Sequence, residues 1–229
     1  MGASGIYITG TDTGVGKSVA SAALLHALRR DGLHAVGMKP VASGCDATAD
    51  GLRNEDGLAL QAASSPPLPD YADVNPVALP APLAPELAAA DVGVTVSLEP
   101  IIAAYARLAS RADAVVVEGV GGWLAPLSAT LDQVDLVRAL DLPVVLVVGL
   151  RLGCINHARL TERALAADGV RLVGWIANEV DPAMARIDDN VRVLEQRLAV
   201  PCWGRLPYSP VPGPQRLASH LRPALLPSR

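Results

Sequence analysis

Phenylalanine is absent from the 229 residues, and aromatic side chains of all kinds make up 3% of them. Three tryptophans, Trp123, Trp175 and Trp203, and four tyrosines are too few for the stacking platforms that grip single-stranded nucleic acid. Positive charge is not in excess either. The net charge is −4 and the sequence pI about 5.5, which excludes a broadly basic nucleic-acid surface but leaves room for a local basic pocket. Cysteine is scarce: Cys45, Cys154 and Cys202 are odd in number, widely spaced and form no C-x-x-C pair. Neither a disulfide framework nor a zinc ribbon is expected, and the count fits a reducing cytosol. The four histidines, His26, His34, His157 and His220, lack metal-ligand spacing and read as packing or surface residues. No basic stretch precedes an apolar one at the start, so no signal peptide is expected. The longest strongly apolar run, Val144 to Leu150, is far short of a membrane span. The expectation is a cytoplasmic protein with neither nucleic acid nor membrane as partner.

What is present is apolar and aliphatic. Hydrophobic residues make up 51% of the chain and charged residues 18%, which excludes intrinsic disorder. The length suits one domain, 1–229, with a core of Ala, Val, Leu and Ile. Short apolar runs alternate with segments of helical period. The runs are Ile6 to Thr9, Ala35 to Met38, Ala114 to Val117, Val144 to Val148, Val173 to Ala177 and a short sixth at Cys202 to Leu206. They lack strict alternation, as strands covered on both faces do. Between them, Lys17 to Arg30, Leu98 to Leu108, a helix from about 156 to 167 and another over 183–198 carry apolar residues at helical spacing. Strands alternating with amphipathic helices predict an α/β fold, a mainly parallel sheet flanked by helices on both faces. Ser64 to Pro85 holds seven prolines and reads as a surface excursion. The proline-rich tail from Pro207 is expected to pack over the end of the sheet. Ligands of such sheets bind beyond the carboxyl ends of the strands, so polar residues there are the candidates.

The first strand runs into Gly10-Thr11-Asp12-Thr13-Gly14-Val15-Gly16-Lys17-Ser18, which opens a helix. That is the context of a P-loop. Glycines let backbone N–H groups turn inward around phosphate oxygens, and the helix N-terminus adds positive potential. Lys17 can reach the β- and γ-phosphates, and the Ser18 hydroxyl can ligate Mg²⁺. The usual pattern would place a glycine at 11, where this chain has Thr11. The switch ATPases of the partitioning and nitrogenase-iron-protein group carry an early second lysine, at the position of Asp12. A switch ATPase of that group is the alternative reading, and Asp12 speaks against it.

Six segments, taken together, carry a closer resemblance. They are the Gly10–Ser18 loop, Lys39-Pro40-Val41-Ala42-Ser43-Gly44, Asn54-Glu55-Asp56, Val117-Glu118-Gly119-Val120-Gly121-Gly122-Trp123, Leu152-Gly153-Cys154-Ile155-Asn156-His157 and Ala177-Asn178-Glu179-Val180. In this order they resemble the dethiobiotin synthetase family of the biotin pathway, over most of the chain from 9 to about 209. The resemblance implies an ATP- and Mg²⁺-dependent ligase with a P-loop NTPase fold. Its substrates would be 7,8-diaminononanoate (7,8-diaminopelargonate) and CO2, its product the cyclic urea dethiobiotin, and its assembly a homodimer.

The resemblance also implies roles. Lys39 and Lys17 become the catalytic cations. ATP would be held by Thr13, Gly14, Val15, Gly16, Lys17, Ser18 and Val19, by Glu118, Gly119, Val120 and Gly121, and on the base side by Asn178, Glu179, Pro207, Tyr208 and Ser209. The diamine would meet Thr13, Lys39 and Ser43. Its carboxylate would meet Gly153, Cys154, Ile155 and Asn156 at a dimer interface. Mg²⁺ would rest on Ser18, Asp56 and Glu118. Read without the resemblance, several of these have plainer roles: Lys39 a strand-end lysine reaching water, Asp56 a helix-start acid, Asn178 a turn residue, Asn156 an N-cap. Two positions depart from the family. Asn190 stands where an aromatic hydroxyl is usual, and Gly14 where some relatives carry an acid.

Overall fold

The computed structural model describes residues 3–211 and 213–223. Its centre is a sheet of six strands: β1 (Ser4–Gly10), β2 (Ala35–Met38), β3 (Ala114–Glu118), β4 (Val144–Leu150), β5 (Leu172–Glu179) and β6 (Cys202–Leu206). Their spatial order is β6-β5-β4-β1-β3-β2, and every neighbouring pair is parallel. All six carboxyl ends therefore lie along one edge. The chain must cross over between parallel neighbours, and the longer helices serve as crossovers: α1 (Lys17–Arg30), α2 (Glu55–Ala63), α3 (Leu98–Ala109), α4 (Gln133–Leu140), α5 (Cys154–Ala167) and α6 (Ile187–Arg197).

Side chains alternate between the two faces of each strand. Ile6 and Ile8 of β1, Val116 of β3 and Val145 and Val147 of β4 pack with α1 and α2 on one face. On the other, Tyr7, Val115 and Val117 pack with α3 and α4, and Leu146, Val148 and Trp175 with α5 and α6. Because both faces are covered, the strands have no polar side to show. Their runs are continuous for that reason, each fully buried Val, Leu or Ile contributing about 1.5–3 kcal/mol.

The expected strands form, each of the longer ones extending a residue or two past its apolar run. Two helices differ from expectation. The helix expected over 183–198 begins at Ile187, because Arg186 takes a left-handed conformation (φ 53) that cannot propagate a helix. α5 begins at Cys154 with Gly153 as its N-cap (φ 96), so Asn156 lies inside the first turn and is not the cap. α4 buries Gln133, Leu136, Val137 and Leu140 at helical spacing. It is started by a reciprocal capping box between Asp132 and Asp135.

The proline-rich stretch is more than a surface excursion. Ser64 and Ser65 are buried and accept backbone N–H groups of Gly37 and Ala35, at the outer edge of the sheet. A short helix, Tyr71–Val74, follows, and the strand Val77–Leu79 pairs in parallel with Val41–Ser43. The tail passes β6 and returns: Leu217, Ala218 and Leu221 are buried in the core under α1, and Leu221 bridges to Gly204. Residues 224–229 of the tail lie outside the described residues. Leu221 is fully buried, so Leu221→Ala is expected to cost about 2–4 kcal/mol by lost burial and a residual cavity. A urea unfolding midpoint equal to wild type would show the tail to be a dispensable strap.

Candidate active site

The P-loop joins the end of β1, the second central strand of the sheet, to α1. Gly16 is the N-cap of α1 in a left-handed conformation (φ 82), no side chain caps the helix, and its first turn holds no acid. The helix end is thus a positive site open to an anion. Gly16 cannot be replaced without cost, since a Cβ there would come 2.0 Å from Asn178 Nδ2. Over this loop opens a cavity of about 1020 Å³, walled by the P-loop, Lys39, Ser43, Asp56, Gly121 and the segment Pro82–Pro85.

Lys17 and Lys39 are the only lysines of the chain, and both are buried in this site, 7% and 3% exposed. Lys17 Nζ donates to the Asp12 carbonyl (3.0 Å). Burial, with Lys39 close by, pushes its pKa down to about 8. Lys39 follows β2. Its ammonium donates to Asp56 Oδ2 (2.9 Å), Glu118 Oε1 (2.7 Å) and the Gly119 carbonyl (3.2 Å). Burial alone would lower the Lys39 pKa, but Glu118 and Asp56 outweigh it and hold it above the ordinary lysine range. Asp56 is drawn the opposite way. Its desolvation is overcome by Lys39 and the Ser18 hydroxyl, which keep the carboxyl below its usual range.

Each group is placed by a local rule. Asn54 caps α2, accepting from the N–H groups of Asp56 and Gly57, which sets Asp56 in the first turn. Glu118 ends β3 and is fully buried. Lys39 is fixed through its backbone: its N–H donates to the Val74 carbonyl, and Asn75 Nδ2 donates to its carbonyl. Both partners belong to the proline-rich stretch, whose strand also aligns Val41–Ser43. That stretch was underestimated from sequence because its prolines break every period.

Ser18 Oγ lies 2.6 Å from Asp56 Oδ1 and 2.8 Å from Glu118 Oε1. The three expected metal ligands therefore converge. Glu118 Oε2 is buried with no hydrogen-bond partner, and such an orphaned oxygen is a natural ligand for a hard cation. A hydroxyl and two carboxylates are oxygen donors of the kind Mg²⁺ takes, with phosphate and water completing its shell. Among the described residues no group of three or more His, Cys, Asp or Glu side chains gathers.

The base-side residues stand at the ends of β5 and β6, across the P-loop from Lys39. Asn178 is buried and donates from Nδ2 to the Val15 carbonyl (2.9 Å), leaving its Oδ1 and second N–H. Glu179 accepts from Arg205 Nε and the Tyr208 N–H, so its carboxylate anchors the Pro207–Ser209 segment. The Tyr208 ring is exposed. Gly153, Cys154, Ile155 and Asn156 do not line the cavity that holds Lys39. The Cys154 side chain is buried, and burial pushes its thiol pKa up, while Leu152 and Asn156 are exposed. Asn190 donates to the Arg186 carbonyl within its own helix.

Two contacts were missed from sequence. Arg151 pairs with Asp12, tying the front of the P-loop to the segment before α5. Gln133, at the start of α4, lies under the glycine-rich loop that follows Glu118. Neither belongs to a linear motif. The Asp132–Asp135 spacing and the Leu136, Val137, Leu140 stripe are the signals for the helix that places Gln133.

A P-loop on the central strand of a parallel sheet, with an acid on the neighbouring strand end, defines a P-loop nucleotide-binding protein. The solved MinC:MinD cell division protein complex of Aquifex aeolicus shares that fold, with a TM-score of 0.54 and 18% identity over 91% of this chain and 83% of that one. A family model described as an AAA domain matches residues 4–216. The ATP-dependent dethiobiotin synthetase BioD of Xanthomonas campestris pv. campestris (strain ATCC 33913) is 70% identical over 94% of this chain and 96% of its own. That of Xylella fastidiosa (strain 9a5c) is 61% identical over 97% and 99%. The chain belongs to the ATP-dependent dethiobiotin synthetase family, whose members are ligases. Among the described residues no helix is long and apolar enough to cross a membrane.

The depressed Lys17 predicts a pH dependence. Only the charged ammonium attracts phosphate, and above pH 8 the free protein has lost that proton, so binding must take it up again. ATP affinity should weaken by about tenfold per pH unit above 8. The Lys17→Arg variant should lack this dependence. Calorimetric titrations that stay flat between pH 7 and 9 for wild type would remove the effect.

Proposed function

We propose that the chain closes the ring of 7,8-diaminononanoate with CO2 at the expense of ATP, forming dethiobiotin through a carbamate and a carbamic–phosphoric anhydride. One amine adds to CO2 and loses a proton. A carbamate oxygen then attacks the γ-phosphorus and expels ADP. The second amine attacks the carbamoyl carbon, expels inorganic phosphate and loses its proton as the cyclic urea forms. The alternative, a nucleotide-switch ATPase, requires no diamine.

The observation that carries this reading is the buried Lys39 ammonium, held by Asp56 and Glu118 where the P-loop cavity ends. Two anions, carbamate and triphosphate, must meet in this reaction. A cation already desolvated and oriented offsets their repulsion without reorganising at the moment of reaction. Lys17 takes the β- and γ-phosphates, and the P-loop amides from Thr13 to Val19 take the rest. Ser43, at the cavity wall, and Thr13 orient the diamine. Asn178 offers a donor and an acceptor to the adenine edge, Glu179 fixes the Pro207–Ser209 segment beside it, and Tyr208 covers the base. The loop Glu118–Gly121 passes over the phosphates. Ser18, Asp56 and Glu118 would hold Mg²⁺, which supplies charge neutralisation at the phosphates when bound.

The chain acts as a homodimer in this proposal. The residues at the head of α5, Gly153–Asn156, do not wall the Lys39 cavity, and a carboxylate held there belongs to a substrate bound mainly by the other copy. Leu152, Leu124 and Leu160 are exposed at 94%, 69% and 56%. The latter two wall one groove beside α5, an apolar surface of the sort a second copy covers.

The deciding assay is ATP-dependent formation of the cyclic urea from diaminononanoate and labelled bicarbonate, with phosphate released in step. Phosphate release that ignores the diamine would favour the switch. Lys39→Gln is expected to lower turnover by more than about 10²-fold in a variant whose circular dichroism is unchanged. Near-normal kcat in that folded variant would remove Lys39 from the reaction. Glu118→Ala should shift the Mg²⁺ titration of activity to higher concentration, and an unshifted curve would take Glu118 out of the metal site.

A further inference from the structure

The loop after β3, Gly119-Val120-Gly121-Gly122, carries three glycines, and its last three residues wall the cavity. It has little side chain of its own to hold it in place. What holds it lies underneath, in a polar pair inside an otherwise apolar core. Tyr7 of β1 and Gln133 of α4 are 1% and 0% exposed. The Tyr7 hydroxyl donates to Gln133 Oε1 (2.7 Å). Gln133 Nε2 donates to the Gly122 carbonyl (2.5 Å) and the Trp123 carbonyl (3.2 Å).

The amide can stand only one way round. Its oxygen meets a hydroxyl donor, and its nitrogen meets two carbonyls that can only accept. The fit is close, for a Cβ on Gly119 would come 2.4 Å from Gln133 Oε1 and 2.6 Å from the Tyr7 oxygen. Gly119 in turn offers its carbonyl to Lys39 Nζ, and Gly122 faces the backbone of Gly10, Thr11 and Asp12, each 3.8 Å from where its Cβ would stand. One buried glutamine thus reaches, through the backbone, both the catalytic lysine and the front of the P-loop.

We infer that Gln133 is a positioning residue of the reaction: from inside the core it sets the height of the Gly119–Trp123 backbone over the P-loop, with Tyr7 orienting its amide. It does not wall the cavity that holds Lys39. Trp123 is the competing anchor, since its indole N–H donates to Asp168 Oδ2 (2.7 Å) and its ring stands edge-on to Tyr7 at 6.4 Å. That anchor fixes the far end of the loop, and the Ala125 N–H also reaches the Gly122 carbonyl (3.1 Å), but Gln133 is the one side chain that holds both the Gly122 and Trp123 carbonyls from inside the core. The inference rests on the ring-closing reading for its kinetic consequence and on the loop alone for its dynamic one.

Gln133→Leu keeps the apolar volume and strips the amide. Kinetics and backbone hydrogen exchange are read on the same full-length protein. kcat is expected to fall by about tenfold or more, because a small misplacement of the wall misaligns the reacting groups. KM for ATP should stay within about threefold, since the P-loop grip is untouched. Amides of residues 119–123 should exchange at least about tenfold faster, with the rest of β1 and β3 unchanged. Tyr7→Phe, which keeps the ring against Trp123, should lower kcat by about threefold or more, and it carries the test if the leucine variant does not fold. A folded Gln133→Leu or Tyr7→Phe protein with wild-type kcat and wild-type exchange at 119–123 overturns the inference. A loss of kcat that merely tracks the loss of folded protein overturns it too. Wild-type protein that makes no cyclic urea would sink the ring-closing reading, while the exchange experiment still decides what Gln133 holds.

Discussion

A lysine ammonium in a protein interior holds its proton firmly where negative charge meets it, and at Lys39 two carboxylates from distant parts of the chain do so. Glu118 is fully buried at a strand end, Asp56 stands in the first turn of a helix, and Ser18 joins both. Taking the Lys39 charge away leaves the fully buried Glu118 uncompensated in a poor dielectric, a loss of about 3–5 kcal/mol in comparable buried pairs. The neighbouring Lys17 carries the opposite strain, its proton held less firmly than a free lysine's. The site is thus a balance of charge prepared for further anions, and the architecture around it has the task of holding that balance dry and still.

The parallel sheet performs that task through its topology. With every strand running the same way, the ends of β1, β2, β3, β5 and β6 bring the P-loop, Lys39, Glu118, Asn178 and the Pro207–Ser209 segment to one edge. The supports are less regular. Asn75 and the Val74 carbonyl fix Lys39, Asn54 fixes Asp56, Arg205 fixes Glu179, and Gln133 fixes the glycine loop. Charged groups do the chemistry in the proposed scheme, while neutral amides and backbone carbonyls keep them in place.

Most of this was visible in the linear chain where the signal was short-range. The P-loop, the Lys39 segment and the Glu118 segment each join a strand end to a turn, so local residue order already states their context. The strands were legible because burial on both faces leaves no polar positions to interrupt them. The proline-rich stretch was illegible for the opposite reason. It is held by pairings with Val41–Ser43 and by hydrogen bonds of Ser64, Ser65 and Asn75 to strands far away in sequence, and these leave no period to read. The start of α6 and the cap of α5 were displaced by single left-handed residues, Arg186 and Gly153, which apolar spacing does not register.

By itself the sequence determined the fold class, the phosphate cradle and the family, because glycine placement, strand-length apolar runs and a helix-opening lysine are local consequences of backbone sterics and burial. Only the tertiary structure decided that Lys39, Asp56, Glu118 and Ser18 form one hydrogen-bonded cluster, that Glu179 anchors the Pro207–Ser209 segment through its backbone, and that Gln133 stands beneath the glycine loop. Those are contacts between residues tens of positions apart. Coulomb attraction and hydrogen bonding act across space, and only the packing of the sheet and its crossovers sets which groups come within their reach.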